Sequence, residues 1–214
     1  HLYENPDLTF GEIKDILQQA ADGRLQGTIK VDGQNLYLSY SIKASEARFA
    51  RTENEMLTGG LPEEGLSTRF PEAVLGSFTE AFNDWQKALD GIEVEEKLAL
   101  FGEDANNFYN VEVTGYKINV IGYKGKSLVI QQVGHKTNSK LDVNEKGKKS
   151  PALLDISQDL IKQASKKLSA TLEQAQPDKK IVYNKTITLG PTADKKVLQT
   201  ALNKIDQALQ SVGL

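Results

Sequence analysis

Three observations predict an α+β fold for this 214-residue chain. Apolar residues recur at helical spacing in residues 8–22, 71–90, 150–175 and from Val197 to Leu209. They alternate with period two across 27–40 and 108–133. Glycines, prolines and short polar clusters separate these stretches. The segment order mixes hairpin strands with helices and ends in a C-terminal helix–strand–helix tail. The length allows one large domain or two small ones.

Residues 8–22 read as a helix because Thr9 and Glu12 spell a capping box, Ile13, Ile16, Leu17 and Ala20 share a face, and Gly23 stops it. In "GTIKVDGQNLYLSY" (27–40) the alternation of Ile29, Val31, Leu36 and Leu38 breaks once, at Asp32-Gly33, and "EARFAR" (46–51) reads as the returning strand. "TENEMLTGGLPEEG" reads as a surface loop. Pro71 opens a helix whose stripe is Val74, Leu75, Phe78, Phe82, Trp85 and Leu89, the spacing of a buried face. Residues 108–133 hold two or three strands, with turns at Gly115 or Gly122 and at Lys124-Gly125-Lys126. Residues 135–149 are polar and lysine-rich. A long helix is expected from Ser150-Pro151 to about 175, then a strand over 180–190 and a last helix after Gly190-Pro191-Thr192.

Composition narrows the function classes. Hydrophobic residues make up 39% and charged residues 26%, as in a globular protein. No apolar run approaches the roughly 18–20 residues of a membrane span, so no membrane partner is expected. No basic-then-apolar leader is read at the start. Cysteine is absent, which excludes disulfides and thiolate metal sites and favours a reducing compartment. His1 and His135 form no metal-spaced cluster, and no P-loop, G-x-G-x-x-G or G-x-S-x-G is present. The net charge of −3 hides an asymmetry: −9 over residues 1–133 and +6 over 134–214. A basic tail suits a polyanion partner such as RNA or DNA, or simply a solvated surface. The shift divides the chain into a first domain, 1–133, a polar linker, 134–149, and a C-terminal, mostly helical segment, 150–214.

The interruption at residues 30–35 is the strongest candidate for chemistry. On a strand, Lys30 and Asp32 point one way while Ile29 and Val31 point into a core. Gly33 permits a backbone that a Cβ forbids and lets a ligand come close. A hairpin turn is the plain alternative. A lysine amine attacks phosphorus only when neutral, roughly one molecule in a thousand near pH 7.5 unless burial or nearby cations lower its pKa. Arg48 and Arg51 on the next strand supply positive charge and suit phosphate. Glu112, alternating with Val111 and Val113, is a candidate contact for metal or ribose.

The run Lys30-Val31-Asp32-Gly33-Gln34-Asn35 resembles the K-x-D-G-x-N nucleotide-binding motif of the covalent nucleotidyltransferases: ATP-dependent DNA and RNA ligases and mRNA capping enzymes. Residues 1–133 further resemble phage-encoded RNA-ligase-like proteins. The stretches that carry the likeness are "HLYENPDLTFGEIKDIL", "KVDGQNLYLSY", "RFARTENEMLTGGL", the aromatic helix around Phe78–Trp85, and "FYNVEVTGYKINVIGY". The resemblance implies antiparallel sheets around a nucleotide pocket. It implies ATP and Mg2+ as cofactors, and Lys30 as the catalytic residue that forms lysyl-AMP. Asp32, Gly33 and Asn35 would bind nucleotide, Arg51 phosphate, and Glu112 ribose or metal. Tyr116 or Tyr123 would stack on the base.

Two departures stand out. "SLVIQQVG" lacks the Glu-Gly of the family's later strand, and the last lysine pair is matched only by Lys185, or by Lys179 and Lys180. Losing that acid and lysine removes electrostatic stabilisation of phosphoryl transfer. Two roles are therefore implied. One is a ligase-like enzyme joining RNA or DNA ends in the host cytoplasm during phage infection. The other is a degenerate transferase fold serving as a virion or assembly protein, with self-association or phage structural proteins as partners. A nucleic-acid-binding tail is a third.

Overall fold

The computed structural model describes residues 8–28, 31–117, 124–136, 153–155, 158–184, 186–191 and 194–211. The fold is α+β, and the described residues form two compact units. One draws on both ends of the chain. The other spans residues 31–184.

The first unit holds α1 (Phe10–Ala21), β1 (Gln26–Thr28), β8 (Thr186–Thr188) and α7 (Lys195–Ser211). The capping box at α1 forms: Thr9 Oγ1 accepts from the Glu12 backbone N–H while Glu12 accepts from Thr9 N. β1 and β8 run antiparallel with Gln26 opposite Thr188. Asp194 caps α7 by accepting from the backbone of Lys196 and Val197, and Lys14 of α1 pairs with Asp206 of α7. No residue of this unit whose burial is described is buried.

The second unit is built on a six-stranded sheet of β2 (Gln34–Ser41), β3 (Glu46–Ala50), β4 (Asn107–Thr114), β5 (Lys126–Lys136), β6 (Leu153–Asp155) and β7 (Lys179–Tyr183). The order is β3-β2-β4-β5, with β6 and β7 both on the far side of β5. Every pairing is antiparallel except β7 on β5, so the sheet is mixed rather than purely antiparallel.

Alternation in the strands divides its faces. Leu36, Leu38, Phe49, Tyr109, Val111, Val113, Leu128 and Ile130 are buried in one core with Phe78, Phe82, Trp85 and Leu89 of α4 (Glu72–Asp90) and Ala164, Leu168 and Leu172 of α6 (Gln158–Ala175). The α4 stripe read from the sequence is thus the helix face against the sheet. Trp85 is fully buried, and its ring nitrogen donates to the Ser39 carbonyl at 3.2 Å. On the opposite face Ala50, Met56, Ala105 and Phe108 form a small second cluster beside Tyr37.

Several expectations change. The loop after β3 contains two short helices, α2 (Glu53–Leu57) and α3 (Leu66–Arg69). α2 has its own capping box, Thr52 with Glu55. A helix that was not foreseen, α5 (Val94–Phe101), precedes β4. The described residues of the 108–133 region hold two strands, β4 and β5, and Gly122 lies outside the described residues. The helix expected from residue 150 begins at Gln158, because Leu153–Asp155 pair with the end of β5. The strand expected over 180–190 is two strands in two sheets. The boundaries expected at 133/134 and 149/150 also differ from the structural division. β5 runs on to Lys136, and β6, α6 and β7 belong to the same unit as β2–β5. The rest of the expected linker, 137–149, lies outside the described residues. No helix among the described residues is long and apolar enough to cross a membrane.

A strongly polar cluster joins α4 to β7 within the helix-side core. Lys179 Nζ lies 2.8 Å from Asp84 and 2.9 Å from Glu80, and Tyr116 Oη donates to Asp84 at 2.8 Å. Lys126 also pairs with Glu80. Asp84 and Tyr116 are each 1% exposed, so these contacts replace water almost completely.

Candidate functional site

The interrupted strand read over 27–40 is two strands in two sheets, β1 (Gln26–Thr28) and β2 (Gln34–Ser41). Lys30, the expected catalytic residue, lies outside the described residues, as do Tyr123 and Lys185. The motif residues after Lys30 are described and lie together. Asn35 stands opposite Glu112 in the β2–β4 register. Alternation sends Asn35, Asn110 and Glu112 to the face opposite α4 and α6. There the Asn35 amide donates to Asn110 Oδ1. Glu112 Oε2 is shut away from solvent. Asp32 is exposed in the turn before the strand.

Gly33 owes its place to close approach and not to backbone freedom, since its φ is not left-handed. A Cβ at residue 33 would lie 2.8 Å from Glu112 Oε2, 2.9 Å from the Val113 carbonyl and 3.1 Å from the Thr114 methyl. The motif turn therefore lies directly on β4. Gly33→Ala is expected to displace it against an unyielding carbonyl, costing about 1–3 kcal/mol, the range for overpacked sites. Chemical denaturation checks the value, and an unchanged midpoint would mean that the turn is not held against β4.

Arg51 reaches the same stretch from the end of β3. Its Nη1 donates to the Asn35 carbonyl at 3.3 Å, and its guanidinium carbon lies 5.0 Å from the Phe70 ring centroid and 5.9 Å from that of Phe78. Both rings belong to the helix-side core. Asn35 is thus met by Arg51 at its carbonyl from the helix side of the sheet and by Glu112 across the ladder on the opposite face, so the two charged side chains lie on different faces. Arg48 does not join them. It pairs with Glu46 and stands opposite Ser39, four residues along β2, roughly 13 Å from Asn35 at the usual strand rise.

Tyr116 is not placed to stack on a base. Its ring is buried, with Lys126 and Lys179 at 5.5 and 5.9 Å from its centroid, and its hydroxyl is engaged by Asp84. Burial, reinforced by the Asp84 carboxylate, pushes the phenol far above its ordinary pKa. The cause is the turn at Gly115 (φ 80°), whose left-handed backbone interrupts the alternation and swings the next side chain to the helix side.

The two adjacent lysines of β7 also separate. Lys179 is committed to Asp84 and Glu80. Lys180 is exposed opposite Ser127, which itself stands opposite Thr114, so Lys180 shares the sheet face of Glu112. No residue pattern marks the β5 bulge, where the register on β4 shifts between Asn110 and Val111.

No family model, no curated protein and no solved structure matches the chain. Its site is read from its own residues. Among the described residues, no three His, Cys, Asp or Glu side chains gather as a metal cluster. A magnesium ion bound with a nucleotide needs fewer, because it keeps waters and takes phosphate oxygens beside one or two carboxylates. Glu112, with one oxygen sheltered beside the motif turn, suits that role.

Proposed function

We propose that the protein is an ATP-dependent, polynucleotide-ligase-like nucleotidyltransferase that forms lysyl-AMP at Lys30. The observation that carries the reading is the flanking of the motif stretch 33–35 by Arg51 on the Asn35 carbonyl and by the Glu112 carboxylate against Gly33. A basic group on the helix side of the sheet and an acidic group on its other face thus touch the segment that follows the lysine.

In this reading the neutral Lys30 amine attacks the α-phosphorus of ATP. A P–N bond forms, the bridging P–O bond to the β-phosphate breaks, pyrophosphate leaves and the amine gives up a proton to solvent. The AMP then passes to the 5′-phosphate of an RNA or DNA end, and the P–N bond breaks to restore the amine. Arg51 holds phosphate by its N–H edge. Glu112 would hold magnesium, which would supply charge neutralisation at the phosphates.

Incubation with ATP and magnesium is expected to add the mass of one AMP to the intact protein, and Lys30→Ala to abolish the gain. Mass spectrometry reads both. A wild-type protein that gains nothing with magnesium or manganese ends this reading.

One observation favours a second reading, a degenerate transferase fold in a phage particle or its assembly. The β5 residue opposite Glu112 is Val129 and the one opposite the neighbouring Thr114 is Ser127, and neither is an acid. That reading predicts indifference to Lys30→Ala and stoichiometric presence in purified particles.

A further inference from the structure

We propose that the exposed face of α7 joins two copies of this chain, which meet antiparallel about a two-fold axis at the level of Gln199. α7 carries two apolar stripes. Leu198, Leu202, Ile205 and Leu209 are half-buried, on the side of the helix from which Asp206 meets Lys14 of α1. Val197 and Ala201 lie on the neighbouring stripe. There Val197 is 61% exposed, the highest value for a large apolar side chain among the described residues. A groove runs along this stripe, lined by Asp194, Lys196, Val197, Thr200, Ala201 and Lys204.

The pattern along the seam names the occupant. Asp194, Val197, Ala201 and Lys204 follow one another at intervals of three, four and three residues, so they share one line along the helix. The ends carry opposite charge, the middle sets a large residue beside a small one, and both pairs have their midpoint at residue 199. A second α7 turned end for end about that point brings Asp194 to the partner's Lys204, twice over. It also seats each Val197 beside the partner's Ala201, a knob against a hole. A parallel pair would oppose like charges at both ends instead.

The charges are not spent within the chain. Asp194 and Lys204 are ten residues apart, about 15 Å along the axis, and cannot meet on one helix. Asp194 caps α7 through Oδ1 alone, and Lys204 has no ion-pair partner among the described residues. One helix pair is small against the roughly 1,600 Å² that a standard interface buries, so the dimer is weak and depends on concentration. The contact uses none of Gly33, Asn35, Arg51 and Glu112, and it stands whichever reading of function holds.

Analytical ultracentrifugation of the full chain tests the association. The wild type is expected to move from the mass of one chain toward that of two as its concentration rises, and Val197→Asp should hold it at one. Lys204→Glu sets like charges together at both ends and should weaken association at least about fivefold. Adding Asp194→Asn to Lys204→Glu keeps the helix cap, removes the repulsion and should recover part of the loss. Crosslinking reads the register, because the chain has no cysteine of its own. Val197→Cys mixed with Ala201→Cys should oxidise to the mixed dimer in preference to either variant with itself, while Gln199→Cys, on the far side of the helix, should not crosslink. Val197, Gln199 and Lys204 are exposed, so circular dichroism should be unchanged in each variant. If Val197→Asp nonetheless fails to fold, the wild-type concentration series and the crosslinks decide. A wild type that stays a single chain at every concentration assigns the face to some other partner and overturns the proposal. A dimer indifferent to Val197→Asp, or one that crosslinks through Gln199→Cys, overturns it too.

Discussion

Asp84→Ala is expected to destabilise the protein by about 3–5 kcal/mol, the usual cost of leaving one partner of a buried ion pair behind. For a unit of this size that lowers the melting temperature by on the order of 10 °C. The mutation strips Lys179 of one of its two acids and leaves the buried Tyr116 hydroxyl without its acceptor. An unfolding titration of Asp84→Ala beside the double variant Asp84→Leu, Lys179→Met separates the causes. If uncompensated charge is responsible, the double variant recovers most of the loss. If both variants fall equally, the loss reflects packing at α4 and β7 rather than charge.

The same cluster shapes the pH dependence of stability. Burial works to raise Glu80, but the hydrogen bonds from Lys126 and Lys179 outweigh it and hold its pKa below the ordinary carboxylate value. Burial works to lower Lys179, but hydrogen bonds to Asp84 and Glu80 outweigh it and raise its pKa. A lowered acid contributes stability above its unfolded-state value and loses it as pH falls through the folded one. A raised lysine contributes below its unfolded-state value and loses it as pH rises through the folded one. The contribution of these two groups is therefore flat from near-neutral pH to the ordinary lysine range, and falls below the ordinary glutamate value and above the ordinary lysine value.

Glu112→Gln is expected to slow adduct formation by on the order of 10²- to 10³-fold, the typical loss when one electrostatic partner of a transition state is removed. The change keeps shape and removes only charge, so the close fit against Gly33 should survive and the unfolding midpoint should stay put. Single-turnover adduct formation at saturating ATP and magnesium gives the rate. An unchanged rate makes Glu112 a structural neighbour of the turn and leaves the metal without a protein ligand there. A lost rate accompanied by a collapsed midpoint makes it a folding residue first.

What the sequence made legible was local. The Thr9–Glu12 box and the α4 stripe follow from spacing, because each depends on one periodicity, whereas Asn35 and Glu112 stand on strands far apart in the chain and only the resemblance linked them. Long-range choices were not legible. Leu153 and Leu154 suit a helix or a strand equally, and the open side of β5 decides for the strand. "KIVYNKTITLG" reads as a single strand. Its chain divides at Asn184, which donates its backbone N–H to Ile130 and its side-chain amide to Gln131, leaving 186–188 to pair elsewhere. Tyr116 follows an alternation that Gly115 breaks, so the resemblance put a base contact where the fold has a buried hydroxyl. The box at Thr52 was in plain view as T-x-x-E, but α2 is five residues long and carries no stripe to announce it.

The pairing of Gln26 with Thr188 has a consequence for how the chain comes off the ribosome. Strands β2 to β5 are all encoded within residues 34–136 and meet their partners early in synthesis. The N-terminal partner of the β1–β8 ribbon emerges before all of them and then waits. At translation speeds of about 5–20 residues per second, the delay is roughly 10–30 s. During it the nascent α1 and β1 have neither β8 nor α7 to lean on, which makes that segment the natural client of a ribosome-bound chaperone and the first place a protease would cut.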